Sequence, residues 1–192
     1  MTADGMLEIE AKVRVDDHEP VRARLKALGA RFIGRYVETN YILDLPDGSL
    51  RDRGCGLRVR EMCVEQGEPA AATMTYKGPR RESTMKVREE IEVEVSDGGT
   101  ALAIVQAIGF ETVVSYRKRR ERWELDGCLF ELDEVPMLGW FVEIEGADEA
   151  TIQRTMNKVG LGSAVHVSKS YVGLLAEACR AAGRSTIGIG FE

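Results

Sequence analysis

The most regular feature of the chain is an alternation of apolar and charged positions. Residues 7–15, LEIEAKVRV, place Leu7, Ile9, Ala11, Val13 and Val15 on one face and Glu8, Glu10, Lys12 and Arg14 on the other. A period of two is that of a strand with one buried face. Residues 87–95, VREEIEVEV, are nearly as regular. Shorter runs follow the same rule at 57–60, after a Gly54-Cys55-Gly56 turn, and at 73–77, before a Gly78-Pro79 stop. Residues 117–125 and 128–135 predict a hairpin turned at Asp126-Gly127. Residues 141–145 predict a further strand, and 36–43, around VETNYIL, a weaker one.

Four segments change period and predict helices. Residues 19–28 gather Val21, Leu25 and Leu28 on one face and close at Gly29. Residues 99–108 close at Gly109. Residues 148–159 start at an Asp148 N-cap and close at Gly160, and 170–182 run from Ser170 to Gly183. The Gly-rich stretch from Arg184 has no period and is expected to be loose, so the reading is one domain over 1–183 with a tail at 184–192. Three Glu-Ile-Glu steps, at 8–10, 90–92 and 143–145, each precede a helix that ends on a hydrophobic–Gly pair. The recurrence suggests one strand-to-helix unit used repeatedly around a sheet.

Composition narrows the class. The 192 residues are 44% hydrophobic and 30% charged, enough apolar content for a core. A net charge of −6 argues against a protein that coats a nucleic-acid duplex, although it permits a local basic pocket. No run approaches the roughly 20 apolar residues of a membrane span. The opening MTADGMLEIEAK has no apolar signal core, so the expected location is the cytoplasm. Cys55, Cys63, Cys128 and Cys179 form no CxxC pair, and with only His18 and His166 besides they predict reduced thiols rather than a zinc site. The oligomeric state is open, and a homodimer is compatible with the sequence.

The polar faces of the predicted strands carry the chemistry. They collect the acids Glu8, Glu10, Glu90, Glu92, Glu131, Asp133, Glu143 and Glu145 and the bases Lys12, Arg14, Arg58, Arg60, Lys77, Arg88, Lys118 and Arg120. One reading is a sheet with a solvated charged face. The other is a closed barrel with these charges inside and its apolar exterior wrapped by helices. A charged interior needs a charged ligand, because uncompensated buried charge is costly. Convergent cations suit a polyanion, and carboxylates at the same mouth suit Mg²⁺ or Mn²⁺. Glu8 and Glu10, at i and i+2 of a strand, are about 6.6 Å apart at the backbone and can converge on one cation or serve two.

Several separated motifs resemble the CYTH, or triphosphate tunnel, family. They are the Glu8-Ile9-Glu10-Ala11-Lys12 signature, Leu57-Arg58-Val59-Arg60, Tyr76-Lys77-Gly78-Pro79, Arg88-Glu89-Glu90 and Lys118-Arg119-Arg120. The late acidic strands, 132–135 and 138–145, and the closing Lys169-Ser170-Tyr171 with Leu174-Leu175 complete the set, in order, from about residue 7 to 176. Within that family the chain is most similar to the bacterial class IV adenylyl cyclase branch. The resemblance implies an α+β fold, an eight-stranded antiparallel β-barrel tunnel with a charged interior, flanked by α-helices.

It also implies a metal-dependent enzyme acting on ATP or another organic triphosphate, with Mg²⁺ or Mn²⁺ as cofactor. Cyclisation of ATP to cyclic AMP and pyrophosphate is the leading reaction. The rivals are a triphosphatase acting on thiamine triphosphate, inorganic triphosphate or a nucleoside triphosphate, and a non-catalytic polyphosphate- or nucleotide-binding module. Lys12, Arg14, Arg58, Arg60, Lys77, Arg88, Lys118 and Arg120 are expected to clamp the triphosphate. Glu8, Glu10 and Glu143 are expected to bind metal, with Asp133 and Glu145 as further ligands or supports, and Glu8, Glu10 and Lys12 are the catalytic set. Trp140 departs from the family's pattern, where an acid often stands, and is read as a packing or interface residue. Tyr171 reads as a helix-to-barrel anchor, and Arg117, Arg119 and Arg122 as a solvated rim opposite Lys118 and Arg120. Neither His18, in a strand-to-helix turn, nor His166, in a late loop, is expected to be catalytic.

Overall fold

The computed structural model describes residues 6–64 and 69–191. The opening five residues of the predicted domain and Glu192 of the predicted tail lie outside the described residues. The strands are β1 (Met6–Val15), β2 (Arg31–Asp44), β3 (Gly56–Val64), β4 (Pro69–Arg81), β5 (Lys86–Val95), β6 (Glu111–Leu125), β7 (Cys128–Val135) and β8 (Gly139–Glu145). They close into one barrel in the order β1-β5-β4-β3-β2-β6-β7-β8. Every pairing is antiparallel, and β1 meets β8 to complete the ring. The helices are α1 (Glu19–Ala27), α2 (Ser49–Asp52), α3 (Gly98–Ala107), α4 (Glu149–Val159) and α5 (Tyr171–Ala182).

Closure decides which face of each alternating strand is buried against apolar groups. The outward side chains Ala11, Val13, Phe130, Leu132, Val142 and Ile144 pack under Leu25 of α1 and Ile152 and Met156 of α4. The main core therefore lies outside the barrel, between strands and helices, and the charged faces turn inward. Local chemistry starts three of the helices: Asp97, Asp148 and Ser170 accept hydrogen bonds from the backbone N–H groups of Thr100, Thr151 and Gly173. At one end of the barrel the inward positions turn apolar. Val114, Tyr116, Val135 and Phe141 pack there against Tyr171 and Leu175 of α5.

Four expectations are corrected. The strand near 36–43 spans fourteen residues, because β2 pairs along its length with both β3 and β6. β4 continues through Gly78 and Pro79, where a register shift between Lys77 and Arg80 accommodates a residue without a donor. The four-residue α2 has no sequence signal beyond its turn. The tail is not loose. β7 pairs only with Arg119 to Leu125 of β6, which leaves the first half of β6 short of partners on that edge. Ser115 N–H donates to the Thr186 carbonyl at 3.0 Å, Ile189 N–H to Ser115 at 2.9 Å and Arg117 N–H to Ile189 at 2.8 Å. These bonds supply the missing partners, and Ile189 is buried beside Tyr116. Among the described residues no helix is long and apolar enough to cross a membrane.

Candidate active site

The inward faces enclose a cavity of about 1530 Å³. Glu8, Glu10, Lys12, Arg58, Arg60, Lys77, Arg88, Lys118, Arg120, Glu143 and Glu145, all predicted site residues, line it. Antiparallel register interleaves the signs: Glu8 stands opposite Arg88 and Lys12 opposite Glu143. Lys12 Nζ is 3.1 Å from Glu143 and 3.9 Å from Glu10. Lys12, Arg58, Arg60, Lys77, Lys86, Lys118, Arg120 and Arg122 each have a carboxylate within 4 Å, which makes this density of buried charge compatible with folding.

Two predicted residues stand elsewhere. Arg14 shares the parity of Glu10 and Lys12 but lies past the end of the β1–β5 pairing at Glu10; it is exposed, donates to the Leu138 carbonyl at 2.6 Å and does not line the cavity. Asp133 is fully buried, and its oxygens receive Lys118 Nζ at 2.9 Å and Arg120 Nε at 2.6 Å. Without cavity surface, Asp133 meets no ligand in the tunnel and supports Lys118 and Arg120 instead of a metal. Arg122 corrects the opposite way. It lines the cavity on the face of Lys118 and Arg120, as its even position in β6 requires, and reaches Glu131 at 2.9 Å.

The structure adds partners absent from the predicted site. Glu38 of β2 is fully buried among Lys118 at 3.3 Å, Arg60 at 3.5 Å, Arg122 at 3.6 Å and Arg120 at 3.7 Å. Burial alone would raise its pKa, but Arg120, Arg60 and Lys118 outweigh burial and hold it well below the usual carboxylate range. Lys86 bridges Glu10 at 2.6 Å and Glu8 at 3.1 Å. Its signal was a parity shared with Arg88 and Glu90, hidden because the predicted strand began one residue late. For Glu38 the signal was weak, since the alternation around it mixes Thr39 and Asn40 with apolar residues.

The acids converge near the start of β1. Glu10 keeps one buried carboxylate oxygen without a hydrogen-bond partner, and the corresponding Glu8 oxygen has only the Lys86 ammonium, at 3.1 Å. Burial, then the hydrogen bond with Glu8, pushes Glu90 up to about 7. Burial, then the charges of Glu131, Glu8 and Glu10, pushes Glu145 up to about 7. Carboxylates so crowded, with lone pairs to spare, have the donor chemistry of a site for a hard cation. Among the described residues no three His, Cys, Asp or Glu side chains are already gathered at metal-holding spacing. On the basic side, burial and then Arg58 lower Lys77 to about 8, although Glu8 lies 3.6 Å away.

The remaining singled-out residues lie off the cavity. Trp140 is exposed on the outer face of β8, so its departure from the family's pattern does not enter the tunnel. Arg117 and Arg119 are exposed, as expected, with Arg119 against Phe191. The buried His18 sits 2.9 Å from the Phe141 carbonyl through Nε2, and His166 makes a backbone bridge to Val13.

Fold and site together define a closed tunnel barrel whose interior interleaves cations and carboxylates. The chain belongs to the CYTH family: the CYTH domain model matches residues 6–171. A curated Methanocaldococcus jannaschii protein with the name "Putative adenylate cyclase" is 34% identical over 140 residues, 73% of this chain and 77% of that one. A solved Pyrococcus horikoshii OT3 protein shares the fold with a TM-score of 0.71 and 27% identity, over 85% of this chain and 96% of that one. A Hippeastrum protein described with a dominant triphosphatase activity shares the fold at a TM-score of 0.66 and 17% identity, over 92% of this chain and 96% of that one.

Proposed function

We propose that this chain is a divalent-metal-dependent enzyme that cleaves an organic triphosphate, and that its reaction is the cyclisation of ATP to cyclic AMP and pyrophosphate. The observation behind the substrate class is the set of cations converging on one cavity, most of them paired with a carboxylate. Lys12, Arg58, Arg60, Lys77, Arg88, Lys118 and Arg120 bind the phosphate oxygens. Glu8 and Glu10, with Glu143 and Glu145, are the oxygen donors for Mg²⁺ or Mn²⁺, and the Glu10 oxygen that lacks a hydrogen-bond partner supports that assignment. A bound metal would supply Lewis-acid activation of the attacking hydroxyl and of the leaving pyrophosphate. Lys12, between the two acid groups, offsets charge that develops on the phosphoryl oxygens, and the paired carboxylates keep the cations in place before substrate arrives.

The cyclase reaction rests on the name of the Methanocaldococcus relative. Triphosphate hydrolysis is the second reading, favoured by one observation. Among the described residues the aromatic rings that line the cavity are Tyr116 and Tyr171, both buried and neither open for stacking on a base. Incubating the chain with ATP, GTP, thiamine triphosphate and tripolyphosphate under Mg²⁺ or Mn²⁺, with products identified by mass, tests both. Cyclic AMP with pyrophosphate supports the first reading and orthophosphate the second. Tight ATP binding without turnover of any substrate refutes both in favour of a binding module.

A further inference from the structure

Tyr171 stands where the charged interior meets the apolar end of the barrel. It is the first residue of α5, directly after the Ser170 cap. One contact of its ring is structural: Phe141 packs against it nearly edge-on, with centroids 5.2 Å apart. Two further contacts are cationic. Lys12 Nζ lies 4.0 Å from the ring centroid and Lys118 Nζ 5.3 Å from it. The side chain lines the cavity at 6% exposure, and its hydroxyl has no hydrogen-bond partner.

An anchor does not require that arrangement. Phenylalanine would make the same contact with Phe141 and offer the same face to two ammonium groups. A hydroxyl buried without a partner is destabilising, and native structures rarely keep one without a use. Nor do the nearby carboxylates accept its proton. The Asp133 oxygens are occupied by Lys118 and Arg120, and those of Glu143 by Lys12 and Arg120. What remains is a buried donor on a cavity-lining side chain, beside two ammonium groups, an environment that suits an oxyanion.

We propose that Tyr171 is a substrate-binding residue whose hydroxyl donates a hydrogen bond to a phosphate oxygen of the bound triphosphate, while its ring holds Lys12 and Lys118 beside the same phosphate. The inference rests on the triphosphate reading above. Burial, with the fields of Asp133 and Glu143, holds the phenol well above its ordinary range, so it stays an O–H donor.

The test compares the wild-type chain with Tyr171→Phe, measuring metal-free tripolyphosphate binding by calorimetry and thermal stability without ligand. Loss of one hydrogen bond to a charged acceptor weakens binding about tenfold. Removal of an unpartnered buried hydroxyl leaves Tm unchanged or raises it by about 2–4 °C. Opposite movements of affinity and stability are therefore the expected result, and a purely structural tyrosine does not produce them. Tyr171→Leu, which also removes the ring, should bind more weakly still. Wild-type binding that Tyr171→Phe leaves within twofold overturns this inference alone, as does a fall in both affinity and Tm, which marks a packing role. Absence of tripolyphosphate binding by the wild-type chain overturns the triphosphate reading and this inference with it.

Discussion

Glu38 makes the electrostatic design of the tunnel measurable. Its carboxylate is fully buried, and the four cations around it lie between 3.3 and 3.7 Å. At those separations it acts as a shared counter-charge more than as the acceptor of any one short hydrogen bond. Glu38→Gln preserves the volume and removes the charge, leaving Arg60, Lys118, Arg120 and Arg122 to repel one another. Breaking a buried ion pair from one side costs about 3–5 kcal/mol. For a chain of this size each kcal/mol moves Tm by about 2–4 °C, so the variant should melt roughly 6–20 °C lower. The pH dependence supplies a second readout. Glu38 is depressed in the folded state, whereas an unfolded glutamate titrates near 4.3, so the unfolded chain binds the extra proton. Its stabilisation is complete above about pH 4.3 and is lost as pH falls below it. Calorimetric melts from pH 3 to 7 should show a shallower acid slope for Glu38→Gln than for the wild-type chain. A variant that melts within about 2 °C of wild type, with a superimposable acid profile, would refute the counter-charge argument.

Arg58→Ala should weaken metal-free tripolyphosphate binding at least tenfold, since a charged contact to phosphate contributes about 1.5–3 kcal/mol; unchanged calorimetric affinity removes Arg58 from the clamp. Glu8→Gln and Glu10→Gln should reduce turnover by about 10²-fold or more while metal-free triphosphate still binds. Wild-type rates at low Mg²⁺ or Mn²⁺ for both variants would make these acids structural. Truncation after Gly183 removes the backbone partners of Ser115 and Arg117 together with buried Ile189, so a lowered Tm is expected. A truncated chain as stable as the full one would show that the tail contributes no closure.

Strand parity was legible without coordinates because it is a property of neighbouring residues. The faces of β1 and β5, and with them Glu8, Glu10, Lys12, Arg88 and Glu90, follow from alternation alone. The same rule places Arg122 with Lys118 and Arg120, so that correction was available in the sequence. The caps at Asp148 and Ser170 were legible for the same reason, since a cap is satisfied within three residues.

Alternation says which side chains share a face and leaves open whether that face meets water or other strands. Only the pairing of β1 with β8, more than a hundred residues apart in sequence, closes the ring and turns the solvated-sheet reading into a tunnel. That closure also separates Lys12 from Arg14, two residues of one face: Arg14 lies past the end of the β1–β5 pairing, is exposed and does not line the cavity. It turns Asp133 from a metal candidate into a support for Lys118 and Arg120, and brings Glu38 from a weakly patterned strand among four cations. The tail follows the same logic. Its glycines carry no period, and its order depends on unpaired backbone groups of β6, some seventy residues earlier in the chain. The sequence by itself determined most of the elements and the parity of their faces, which depend on local spacing, and its motifs carried the resemblance to the family. Register and closure depend on pairings between distant segments, and these decided which charges meet one another and which meet a ligand.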